Sequence, residues 1–370
     1  MADTAVEEPA RKDSAHTSPD AAPRRPWWSR WPDWSGYLVV AWSLLYGAAG
    51  LYWALGGSDY PFRKTVDDRA SSSLLEPSSA TVVAPLMVLF CAVGAVVGVL
   101  MVRDRGTGRV RKAMLAYGWV AACTLTFLVP DYSLLGLLVF SPVLVVFAFT
   151  GVPGPQEMGD ILYWHRINLM IVFVGGLLWV ATTLAYQRRT GGQCLRCGRG
   201  HRAASAWTEP AAALRWGRWA VRVAVLSTLP YDITRIAWYF GWPLGISDAF
   251  LKDMQDTPNM LEMGLALGIA STLGSLLMHG LVAHWGEVWP RWVWFKKGRT
   301  VHPATAIVPA SIIAVVLIPA GLMAIREFDS GMWGTLGPSI FWVVWGLALG
   351  AATFGYYLRR RGRCAHCGRI

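Results

Sequence analysis

The chain has 370 residues, 54% of them hydrophobic and only 15% charged, with a formal net charge of +11. A soluble domain carries about 25% charged residues, so this composition leaves too little polar surface for a water-soluble globule. The positive charge is not a nucleic-acid footprint, because Arg and Lys cluster in short segments beside apolar runs; the 21 Trp residues fit a membrane–water interface.

Residues 1–35 are polar, rich in Ala, Pro and charges of both signs, and read as a disordered cytoplasmic tail. Its end carries Trp27, Trp28, Trp31 and Trp34, an interfacial collar. Apolar runs follow at about 37–57, 81–102, 113–129, 132–150, 167–186, 219–242, 260–284, 304–325 and 335–357. A spanning helix needs about 20 residues. The first run is longer than a signal-peptide core and no small-residue cleavage site follows it, so it is expected to be retained as an anchor.

Loop charge decides which runs cross. Segments 103–112, 188–218, 286–303 and 359–363 are basic, whereas 58–80, 151–165 and 243–259 hold most of the acids. The basic set is expected in the cytoplasm. Three runs lie between the basic loops at 103–112 and 188–218, where an even number of crossings is required. The run at 132–150, which has no basic flank and contains Pro142, is the expected non-spanning segment; the short run at 113–129 is the alternative. The prediction is an all-α integral membrane protein of the plasma membrane. It has about eight transmembrane helices, one extra non-spanning apolar segment and both termini in the cytoplasm.

The two halves resemble each other. At one offset and without a gap, Gly176, Ala181, Thr183, Tyr186 and Arg189 fall on Gly346, Ala351, Thr353, Tyr356 and Arg359, and both copies then read C-x-x-C-G-R. Tyr46 and Trp53 similarly fall near the pattern of Tyr231 and Trp238. Self-similarity at fixed spacing marks a repeat, and the gap-free match through the cysteines argues against chance. The expected organisation is a tandem repeat of two four-helix units. The first spans 36–199, a cytoplasmic linker covers 200–215, and the second spans 216–370, with a cysteine pair closing each unit.

Cys194, Cys197, Cys364 and Cys367 form the strongest chemical signal. Two thiolates at i and i+3 grip one metal from a tight turn, the following Gly allows the turn, and two such pairs complete a tetrahedral structural Zn²⁺ site. A redox dithiol, or two unrelated reduced pairs, are the other readings. Cys91 and Cys123 lie inside apolar runs as small hydrophobes. A second signal is ionisable residues at membrane depth. Asp232 and Arg235, at i and i+3 after Pro230, are expected to pair, either for function or to lock helix packing. His279 is a candidate to face the bundle and meet them, whereas His284 reads as interfacial. Glycines at 94 and 98, 264 and 268, and 346 and 350 fit close helix packing.

Tyr231, Thr234, Arg235 and Trp238, the stretch from Gly286 to Trp292, and the stretch from Ala185 to Gly191 leading into Cys194 resemble a family of polytopic actinobacterial membrane proteins without an assigned activity. The resemblance covers most of the chain after the tail and implies topology and little chemistry. No P-loop, nucleophile elbow, zinc-protease or dinucleotide motif is present. Three function classes follow, in order. The first is a transporter or permease-like protein built on the duplicated bundle and the buried Asp232–Arg235 pair. The second is a membrane scaffold or regulator docking a protein at its cytoplasmic zinc knuckles. The third is a membrane enzyme acting on a lipid or isoprenoid.

Overall fold

A computed structural model describes residues 27–62, 73–76, 78–139, 141, 163–200, 205–291 and 293–369. The expected tail up to residue 26 and most of the 132–150 run lie outside them. Every regular element among the described residues is helical: α1 Trp31–Ala54, α2 Ala80–Val102, α3 Gly108–Cys123, α4 Ser133–Val139, α5 Trp164–Thr190, α6 Pro210–Tyr239, α7 Asp248–Asp256, α8 Met260–Met278, α9 Pro303–Arg326 and α10 Trp333–Arg360. Six helices (α1, α2, α5, α8, α9 and α10) are long and apolar enough to cross a membrane, α8 together with the short turn after it.

Several boundaries differ from expectation. α1 starts within the Trp collar, where Pro32 takes an early helical position and Asp33 lies in the first turn. Both choices suit a helix N-terminus, because Pro needs no hydrogen-bonded N–H there and an acid complements the dipole. The run expected at 113–129 begins earlier, at Gly108, and continues into a π-helical turn at Thr124–Leu128. It then bends by 62° into α4, and the pair can be one broken span. α6 starts at Pro210, inside the expected linker, and runs for 30 residues. Its Arg222, Asp232 and Arg235 lower its hydropathy, and it is not among the six. α7 was not expected; Ser247 caps it by accepting from the Phe250 amide.

The two halves share a pattern of neighbours. In the first, α1 packs on α2 and α5, and α3 packs on α5; in the second, α6 packs on α8 and α10, and α9 packs on α10. Small residues permit the close approaches. Gly98 faces Val39 and Val40 of α1, Gly118 of α3 faces Thr183 of α5, and Gly346 of α10 faces the Ala314 carbonyl of α9. Trp179, Leu169, Val39 and Met101 fill the first core, and Leu317, Leu349, Ala352 and Tyr356 lie in the second half's interior. The halves meet where the π turn after α3 packs on α9.

Candidate functional site

The helices α5 and α10 each end in an arginine pair followed by a cysteine turn, and these turns lie side by side. Each turn has the same backbone. Cys194 N donates to Arg199 O and Gly198 N to Cys194 O, at 2.9 and 2.8 Å; Cys364 N to Arg369 O and Gly368 N to Cys364 O repeat those distances. The glycine after each second cysteine sits at φ +71° and +70°, in the left-handed region that favours Gly. The turns are joined by Arg199, whose guanidinium donates to the Arg369 and Gly362 carbonyls, and by Arg369, which donates back to Arg199 O. Arg188 braces the first turn from α5 through the Leu195 carbonyl at 2.6 Å.

This arrangement brings the four Sγ atoms of Cys194, Cys197, Cys364 and Cys367 within 4.8 Å of one another, so that they can hold one metal ion. Across the halves, Cys194 and Cys364 are 4.0 Å apart and Cys197 and Cys367 are 3.6 Å apart. A tetrahedral Zn²⁺ with Zn–S bonds of about 2.3 Å has sulfurs about 3.8 Å apart, which these distances bracket. They are too long for disulfides, whose S–S bond is about 2.05 Å. Backbone N–H groups of Cys367 and His366 draw the Cys364 thiol down to about 6. On Cys194 burial pushes upward, but the Cys197 and Arg196 backbone donors outweigh it and lower its pKa. Burial, reinforced by the crowded neighbouring thiols, pushes Cys197 up to about 12. A dication displaces protons from such a set.

The second candidate region lies between α6 and α8. Asp232 is buried at 5% exposure. Its Oδ2 accepts from Thr272 Oγ1 at 3.1 Å, and the Thr228 and Ser271 hydroxyls adjoin the carboxylate. Thr228 Oγ1 lies 3.0 Å from Ser275 Oγ. Asp232 Oδ1 and Ser271 Oγ are both enclosed from solvent, and the Ser271 hydroxyl lies against the carboxylate. The expected ion pair with Arg235 is not made. The Arg235 guanidinium lies over the rings of Tyr231 and Trp238, at 4.7 and 4.3 Å, beside Gly264 and Gly268 of α8. The cause is local: Tyr231 and Trp238, four residues before and three after Arg235, stand on its own face and offer π surface to a planar cation. His279 does not join Asp232 either. It caps α8, its Nδ1 meets the Ser275 carbonyl at 3.0 Å, and it lies about two turns beyond Thr272.

Sequence reasoning missed a buried pair in the first half. His165 at the start of α5 and Glu76 before α2 stand 4.0 Å apart with side chains 3% and 5% exposed, and His165 Nδ1 lies 2.6 Å from the Pro61 carbonyl. Neither residue stands in a motif, and their contact depends on how the segment before α2 folds back. Among the described residues, the cysteine set forms the one cluster of three or more metal-ligating side chains. No protein-family model, curated protein or solved structure matches this chain.

Proposed function

We propose that this is a plasma-membrane protein of two four-helix units. A structural Zn²⁺ held by Cys194, Cys197, Cys364 and Cys367 fastens the units at their arginine-rich, cytoplasmic ends. The observation that carries the clamp is the convergence of four thiols, drawn from two distant turns, to within 4.8 Å of one another. Thiolates select soft or borderline metals over hard ones, and closed four-sulfur sites are structural rather than catalytic. Metal analysis tests it: one Zn²⁺ per chain should copurify and be lost from both Cys194→Ser and Cys364→Ser. Full occupancy in either variant, or no zinc in the wild type, overturns it.

The activity we assign is permease-like transport. Its support is the buried carboxylate of Asp232 on α6, which stands among hydroxyls of α6 and α8 and makes no ion pair among the described residues. Such residues mark substrate and ion pathways. A permease needs water to reach this site from each side in turn. Thr272→Cys, in a background where Cys91 and Cys123 are Ser, should react with membrane-impermeant maleimide in right-side-out and in inverted vesicles. Protection from both sides would sink the permease and favour the scaffold reading, for which the rigid joining of the cysteine turns speaks. The enzyme reading gains nothing from the geometry.

A further inference from the structure

Deepening the permease reading, on which it rests for its biological meaning, we infer that the pocket formed by Asp232, Thr228, Ser271 and Thr272 binds a monovalent cation, a proton or Na⁺. Asp232, on α6, is buried against α8, one of the helices apolar enough to cross a membrane. α6 carries no other acid or base between Arg222 and Arg235 except the Tyr231 phenol. α8 carries no titratable side chain between Glu262 and His279, and α10, the other helix packed on α6, carries none between Trp333 and Tyr356. Arg235 is the one nearby cation on the same helix, and the rings of Tyr231 and Trp238 hold it. A carboxylate in such surroundings is either protonated or neutralised by a bound ion.

The remaining chemistry fits a hard ion. Carboxylate and hydroxyl oxygens suit hard cations, whereas thiols and imidazoles suit softer ones. The cluster offers one buried carboxylate surrounded by three hydroxyls, those of Ser271, Thr272 and Thr228, with Asp232 Oδ1 and Ser271 Oγ enclosed from solvent. One carboxylate supplies one negative charge, which a monovalent ion balances and a divalent one does not. The Ser275 hydroxyl, 3.0 Å from Thr228 Oγ1, orients the inner end of the set.

The test uses the full-length, zinc-loaded protein in lipid nanodiscs and follows its thermal unfolding midpoint. One arm adds NaCl in place of choline chloride at constant ionic strength. The other varies pH from about 5.5 to 8.5 in choline chloride alone, around the range where a buried carboxyl titrates. The inference expects the wild type to be stabilised saturably by Na⁺ or by falling pH, the first outcome identifying Na⁺ and the second a proton. Asp232→Asn should abolish the response, and Thr272→Val or Ser271→Ala should weaken the Na⁺ response by about tenfold. A wild type as indifferent to Na⁺ and to pH as Asp232→Asn overturns it. Should Asp232→Asn fail to fold, binding of radioactive ²²Na⁺ to the wild type and to Thr272→Val decides, together with the wild-type pH arm. Cation binding without two-sided maleimide access defeats the permease alone. Access without any cation response defeats the present inference alone.

Discussion

Arg199 and Arg369 exchange hydrogen bonds: Nη1 of each guanidinium donates to the backbone carbonyl of the other, at 2.7 and 2.9 Å. The exchange gives the paired cysteine turns a local two-fold relation and fixes their separation. Either Arg→Ala change removes donors from one side only. A typical hydrogen bond contributes about 1 kcal/mol, so each variant should keep its zinc at equilibrium yet release it several-fold faster to a chromophoric chelator. Release rates equal to the wild type in both variants would show that the arginines do not brace the site.

Tyr186 and Tyr356 perform matching tasks in the two halves. Each hydroxyl donates at 2.6 Å to a backbone carbonyl, Arg105 O after α2 and Gly286 O after α8. Arg189 and Arg359 add bonds to Asp104 and Glu287 at 2.7 and 2.6 Å. Tyr186→Phe and Tyr356→Phe should each cost about 1 kcal/mol, and the double change about their sum. Thermal unfolding measures this; a neutral effect at one site and a large one at the other would break the correspondence.

The separation of Asp232 from Arg235 has an energetic signature. An ion pair would give strong coupling in a double-mutant cycle, whereas a carboxylate held by Thr272 and a guanidinium held by two rings should couple weakly, by about 1 kcal/mol or less. Asp232→Asn, Arg235→Gln and the double variant supply the cycle. Rescue of the first change by the second would show strong coupling and contradict the separation.

Thiol reactivity follows from the shifted acidities. Hydrogen bonds from the Cys367 and His366 amides bring Cys364 to about 6, so in metal-free protein at pH 7 it is largely thiolate. Burial holds Cys197 at about 12, so it stays protonated there. Iodoacetamide followed by mass spectrometry should modify Cys364 first, with a rate that falls as pH drops below about 6. Preferential labelling of Cys197 at neutral pH would contradict these environments, and bound zinc should protect all four cysteines.

Membrane sidedness is testable separately. Reporter fusions after Arg105 and after Arg369 should behave as cytoplasmic, and one beside Asp253 as external. An external report after Arg369 would invert the orientation.

The sequence by itself determined the helical class and the place of most apolar helices, because apolar length is a local property. Against about eight expected crossings, six helices among the described residues are long and apolar enough, or seven if the bent α3–α4 pair is one span. It also singled out the cysteine set, since the spacing within each pair and the glycine after it are fixed by the geometry of one turn. That the two pairs meet was an inference from the matching halves; their 3.6 and 4.0 Å approach is tertiary. Only the tertiary structure decided the partners of Asp232, Arg235 and His279. Spacing of three along a helix permits an ion pair, but the contact formed depends on what faces each side chain: hydroxyls of α8 for the carboxylate, and two rings of α6 itself for the guanidinium. The His165–Glu76 contact was illegible for the same reason, because it joins a helix start to a distant loop and leaves no periodic trace in the chain.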